Sequence, residues 1–183
     1  MSKPDQPKAA NALGDLDDLR ERMQSLKQRQ SDYPQHLGLL SRTAVLVEKR
    51  MTERCTAALK PHGISYVMYQ CLVLAYAACE RPLTPTELAR ATGERSTNVT
   101  HICDELLRRE LITRRPDETD RRRVVIELTA AGEQLLHRAQ KPIWATWQQR
   151  YAGLDKASLG LLEASLETQL RNLDGGQVPR TPQ

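Results

Sequence analysis

Hydrophobic positions recur at three- and four-residue spacing along most of the chain, which predicts a mainly helical protein. Leu16, Leu19, Met23 and Leu26 make the first stripe. Asp15, Asp17 and Asp18 stand at its start, with Lys27 and Arg29 near its end, an order that suits the helix macrodipole. A second stripe, Leu40, Ala44, Val47, Met51, Cys55, Ala58 and Leu59, covers about residues 37–60 and is closed by Pro61 and Gly63. Ser65 is placed to cap a third helix that reaches about Cys79. That helix has a core face of Ile64, Met68, Cys71, Leu72 and Ala75 and a second face of Tyr66, Tyr69, Val73 and Tyr76. Arg81-Pro82 breaks it.

The stretch TPTE at 84–87 is a strong start signal: Thr84 fits the N-cap, Pro85 the first turn, and Glu87 completes a capping box. The short helix it opens stops at Gly93, and another begins within three residues. Val99, Ile102, Cys103, Leu106 and Leu107 form the buried stripe of that next helix. Two short helices joined at a glycine are a helix-turn-helix candidate. Residues 112–115 and 123–128 then read as strands, the second alternating Val124, Ile126 and Leu128 with Arg123, Val125 and Glu127. The polar PDETDRR between them makes a hairpin with an arginine tip. Thr129 caps a long helix carrying Leu135, Leu136, Ala139, Ile143, Trp147 and Tyr151, which Pro142 should kink. Asp155 caps a last helix with Leu159, Leu162, Leu166, Leu170 and Leu173.

The expected fold is therefore mainly α with a small β-hairpin wing: a winged helix-turn-helix that dimerises through its N- and C-terminal helices. Residues 1–14 and 175–183 read as disordered tails, 15–60 as the N-terminal helices of the dimerisation region, 61–130 as the winged helix-turn-helix, and 131–174 as the C-terminal dimerisation helices. The leucine stripe after Asp155 exceeds what one small winged domain can cover, hence the homodimer. The longest apolar run, residues 71–79, is too short to span a bilayer, so no membrane partner is expected. The start of the chain shows no apolar signal region, and Cys55, Cys71, Cys79 and Cys103 lack CxxC spacing, so the expectation is a cytoplasmic protein with reduced thiols.

Charge sharpens the picture. Of 27 basic residues 20 are Arg, and seven of these fall between Arg108 and Arg123. Such a cluster favours phosphate and groove contacts over a diffuse coat. The polar face of the second short helix, Ser96, Thr97, Asn98, Thr100 and His101, can reach base edges in a major groove, and Asn98 has the groups to read an adenine bidentately. Thr84 and Thr86 at the start of the first short helix, with Arg114, Arg115, Asp120, Arg121, Arg122 and Arg123 of the hairpin, complete the candidate DNA-contacting set. A guanidinium suits the narrow minor groove, and Arg122 is the candidate for insertion there, with Asp120 holding the tip.

The DRR at 120–122 followed by VVIELTAAG at 124–132, with TPTELARATG at 84–93 and DELL at 104–107 upstream, resembles the MarR family of bacterial transcription regulators. The resemblance spans about residues 37–173. Within that family, STNVTHICDEL and the extra N-terminal helix look most like the multidrug-efflux repressors of the Emr type. The resemblance implies a two-fold dimer on a pseudo-palindromic operator of double-stranded DNA. It also implies an effector site between the dimer helices and the winged domain. Tyr66 and Tyr69, with Trp144 and Trp147 of the long helix, suit a small aromatic or phenolic compound, and Ser41 and Arg42 can meet its acid or phenolate. One departure stands out. The family usually has Gly before the Leu-Ile that enters the wing, and here it is Glu110. If that residue must be left-handed, Glu costs about 1 kcal/mol relative to Gly.

The function expected is thus a ligand-responsive, homodimeric DNA-binding repressor, released by small aromatic or phenolic compounds and controlling efflux or aromatic-compound genes. Two other classes stay open: a thiol-based redox-sensing regulator, and a winged-helix module that binds protein and not DNA. The cysteines on apolar stripes speak for buried small hydrophobes. No metal or other cofactor is expected, since His36, His62, His101 and His137 lack ligand spacing. Nor is an enzyme, since a phosphate loop, GxSxG and HExxH are all missing.

Overall fold

The computed structural model describes residues 12–78, 83–117 and 123–175. The chain divides into two compact units, Met1–Ala57 and Ala58–Gln183. The first holds α1 (Ala12–Arg29) and most of α2 (Gln35–Leu59). Helix α1 begins inside the stretch expected to be tail, with Asp15 in its first turn. Arg50 of α2 reaches Asp15 and also bonds Glu53 at 3.2 Å, and the Tyr33 hydroxyl donates to the buried Met23 sulfur at 3.1 Å. The apolar stripe of α2 is split. Met51, Cys55 and Leu59 are buried, whereas Leu40 and Val47 are exposed.

The second unit opens with the end of α2 and a single 3-10 turn, Lys60–His62. It runs α3 (Tyr66–Ala77), α4 (Pro85–Thr92), α5 (Ser96–Arg108), β1 (Ile112–Pro116), β2 (Val124–Leu128), α6 (Ala130–Arg150) and α7 (Lys156–Leu173). The local start signals act as read. Ser65 accepts from the Met68 amide, Thr129 from Gly132, and Asp155 from Ser158. At α4 the capping box is complete: Thr84 Oγ1 accepts from the Glu87 amide at 3.2 Å, and Glu87 Oε2 accepts from the Thr84 amide at 2.7 Å. Gly93 ends α4 at φ 71°, a left-handed conformation that costs glycine nothing. Helix α6 runs on through Pro142.

The two strands pair antiparallel from Ile112↔Leu128 to Pro116↔Val124, and Leu83 adds an antiparallel bridge to Ile126 on the far edge of β2. Alternation in β2 is imperfect. Val125, expected among the polar positions, is buried with Ile126, while Val124 is exposed. The strand lies against both α3 and α4. The core joins these elements through Leu72, Leu88, Val99, Leu106, Ile112, Ile126, Leu136 and Ile143, each nearly inaccessible to solvent.

The corner from α5 into β1 is the most constrained point. Glu110 has φ 56°, the one positive φ outside glycine among the described residues. Its amide donates to Leu107 O and the Leu111 amide to Leu106 O, both at 2.9 Å, closing the end of α5. Thr129 then locks the corner to α6: its hydroxyl donates to Glu110 O at 2.8 Å and its amide to Leu111 O at 3.1 Å. Helix α6 approaches so closely that a Cβ on Gly132 would lie 2.0 Å from Leu111 O.

Candidate nucleic-acid interface

Helices α4 and α5 pack as a helix-turn-helix around Gly93, with β1 and β2 following at once as the wing. Helix α5 buries Val99, Cys103 and Leu106 and turns Ser96, Thr97, Asn98, Thr100 and His101 to solvent. That separation follows from its 3.6-residue period. The N-cap of α5, Arg95, makes no side-chain capping bond, so the first-turn amides stay open beside these polar groups. Thr100 Oγ1 donates back to Ser96 O at 2.9 Å and keeps its acceptor lone pairs. Asn98 Nδ2 donates to Glu94 Oε2 at 2.7 Å, which fixes the amide's orientation. The four-residue spacing of Glu94 and Asn98 on one helical path is the sequence signal for that pair.

Of the two threonines at the start of α4, Thr86 is exposed. Thr84 is 8% exposed, and its hydroxyl is occupied by the capping box. In this structure the Thr84 side chain serves as the helix cap. Its bonds to Glu87, with the Thr84 amide and Arg123 adding to them, hold that carboxyl below the usual glutamate range. An open cleft of about 500 Å³ lies here, lined by Thr84, Pro85, Thr86, Glu87, Arg123 and Val124.

The described wing arginines all meet carboxylates. Arg114 pairs with Asp104 at 2.8 Å, Arg115 with Glu127 at 2.6 Å, and Arg123 with Glu87 at 3.7 Å. The last two are surface pairs that a phosphate can displace. Asp120, Arg121 and Arg122 lie outside the described residues. At the neck of the hairpin Asp117 is buried, and its amide donates to Arg123 O at 3.0 Å.

The candidate effector residues divide between the units. Ser41 and Arg42 are exposed on α2, where Ser41 Oγ donates back to Leu37 O. In the second unit Tyr66 and Tyr69 stack with centroids 6.3 Å apart and 13° between planes. Tyr69, expected on the second face of α3, is only 2% exposed and belongs to the core. Helix α3 is apolar nearly all round, so periodicity does not separate its faces. Trp144 and Trp147 of α6 are exposed, as is Tyr76, whose ring meets His137 of α6 edge-on at 5.6 Å.

The described thiols Cys55, Cys71 and Cys103 are buried. Burial, with Cys103 and Glu94 nearby, pushes the Cys71 thiol up to about 12. Burial also raises Cys103, although Arg114 offsets part of the effect. Thiols so protonated are poor nucleophiles, which counts against the redox-sensing class. Cys79 lies outside the described residues.

Comparison with known proteins agrees with this geometry. The model of the MarR family matches residues 68–124. The transcriptional repressor MprA of Escherichia coli K12 is 30% identical over 146 residues, covering 80% of this chain and 83% of the repressor. The chain belongs to the MarR family. It is, with that family, a winged-helix transcriptional regulator. The MarR fold recurs in the crystal structure of the S. aureus MepR–DNA complex, which has a TM-score of 0.67 and 23% identity and covers 73% of this chain and 95% of that one. It recurs again in CouR from Rhodococcus jostii RHA1 bound to p-coumaroyl-CoA, with a TM-score of 0.60 and 27% identity over 75% of this chain and 92% of that one. In this MarR member the position entering the wing carries Glu110 in the left-handed conformation.

Proposed function

We propose that the protein is a homodimeric repressor that grips a pseudo-palindromic operator and releases it when a small aromatic or phenolic compound binds. The observation that carries the reading is the unbroken polar face of α5, Ser96 to His101, exposed beside an arginine hairpin. Side chains of this kind read base edges from the major groove, and each good bidentate contact discriminates by about 1–3 kcal/mol. Thr86, Arg115 and Arg123 supply phosphate contacts around it, and Arg121 and Arg122 carry the minor-groove reading of the wing tip.

Dimerisation is supported by α7, which buries no residue yet carries Leu159, Leu161, Leu162, Leu166, Leu170 and Leu173, all exposed. A leucine-rich helix without cover in one protomer finds it in a second copy. Leu37, Leu40 and Val47 of α2 add a further exposed apolar face. The aromatic effector is supported by Tyr66, Trp144 and Trp147, on helices that pack together, and by the aromatic acyl thioester named for CouR. Similarity to the repressor MprA over most of both chains supports the repressor role, while the Emr-type branch, with efflux or aromatic-compound genes as targets, rests on the resemblance of STNVTHICDEL and the N-terminal helix.

Selection from a random pool of duplexes tests the reading. It should recover two-fold symmetric sequences whose half-sites lie about one helical turn apart. Hydroxylated aromatic acids should then quench tryptophan fluorescence and weaken binding to the selected duplex by about 5–150-fold. A pool that yields no enriched duplex sinks the repressor, and a wide aromatic panel without effect sinks the ligand response.

A further inference from the structure

Arg114 stands apart from the other wing arginines. Its side chain is only 28% exposed, and its Nε is buried. Nη2 binds Asp104 Oδ1 at 2.8 Å, joining β1 to α5 across the base of the wing. The guanidinium also lies against the Cys103 thiol, which is wholly buried in α5. On the backbone side Arg114 is opposite Ile126, itself buried and bridged to Leu83 ahead of α4. A charge placed like this is not waiting for a phosphate. To reach one it would have to leave Asp104, and that carboxylate, 54% exposed, would then repel the same phosphate.

Asp104 lies seven residues after Thr97 and three after His101, so it continues the exposed face of α5 that bears those two side chains. The pair therefore ties the wing to the readout face of the helix. We infer that Arg114 is a positioning residue, clamped by Asp104, which fixes the wing's orientation relative to α5 and so acts on operator recognition without touching DNA. This rests on the DNA-binding reading above and revises the role expected of Arg114 from sequence, a phosphate contact.

The two partners give a sharp test because they carry opposite charges. A purely electrostatic role predicts opposite effects: Arg114→Gln weakens DNA binding and Asp104→Asn strengthens it. A clamp predicts that both weaken it. The affinity of full-length wild type, Arg114→Gln, Asp104→Asn and the double variant would be measured on the pool-selected duplex and on a scrambled one, across a salt series. Each single variant should lose about tenfold on the selected duplex, and the double variant no more than the worse single. On the scrambled duplex all four should agree within about twofold, so the specificity ratio falls while the salt slope holds. A simple loss of fold stability would not move that ratio below the melting temperature. The clamp is overturned if Asp104→Asn binds as well as or better than wild type. It is overturned equally if Arg114→Gln loses affinity on both duplexes alike and its salt slope drops by about one. Amide hydrogen exchange of β1 in the free protein separates the two levels. Faster exchange in both single variants supports the clamp, and unchanged exchange overturns it. A wild type that binds no duplex at all takes down the repressor reading, leaving exchange to decide the clamp.

Discussion

Replacing Glu110 by glycine should stabilise the protein. Glu110 sits at φ 56°, where its amide and that of Leu111 close the last turn of α5. A side chain with a Cβ costs about 1–2 kcal/mol in the left-handed region. Glycine offsets part of the gain through its freer unfolded chain, about 0.5–1 kcal/mol. The net advantage of glycine over a Cβ-bearing residue is therefore about 0.5–1 kcal/mol. Glu110 is exposed, so its removal opens no core cavity. Its charge lies at the negative end of α5, where loss of a carboxylate also helps slightly. Glu110→Ala removes that charge but keeps the Cβ and isolates the conformational part. Thermal unfolding at one fixed protomer concentration should place Glu110→Gly above Glu110→Ala by about 1–4 °C, the scale for a chain of this size. If Ala melts as high as Gly, or Gly melts below wild type, the left-handed strain assigned to this corner is wrong.

Three further outcomes follow from the same structure. Gly132→Ala should cost about 1–3 kcal/mol in urea unfolding, because its Cβ would collide with Leu111 O 2.0 Å away; a neutral result would mean that α6 is not so tightly seated. The Glu87 carboxylate is favoured in the folded state, so its contribution is present above the unfolded glutamate range and is lost as pH falls through its lowered folded value; wild type should therefore lose stability relative to Glu87→Gln on acidification from neutrality, and a constant difference would contradict the capping role. Glu94→Ala frees the Asn98 amide, so the variant should select duplexes relaxed at one base pair in each half-site, and an unchanged selected sequence would remove Glu94 from recognition.

The parts of this molecule that local chemistry controls were legible from residue types alone. The caps at Ser65, Thr84, Thr129 and Asp155 fall where a short polar side chain precedes an apolar period, and a cap needs only its own first turn. The left-handed turn at Glu110 was foreseen by another route, the glycine that the resembled family usually has there. Placement across elements was not. Arg114 and Asp104 are ten residues apart on different elements, and nothing in either neighbourhood announces the pair. Tyr69 lies on a helix that is apolar on nearly every side, so its burial depends on what packs around α3. Thr84 carried two readings, cap and DNA contact, and the capping box shows the first.

The central claim is sequence-specific DNA binding through α5 and the wing. Its most direct measurement is the salt dependence of affinity for the pool-selected duplex beside that for its scrambled counterpart. Both affinities should fall linearly in log–log form as salt rises, with the selected duplex at least about 1,000-fold tighter throughout. Equal affinities for the two duplexes, or binding indifferent to salt, would contradict it.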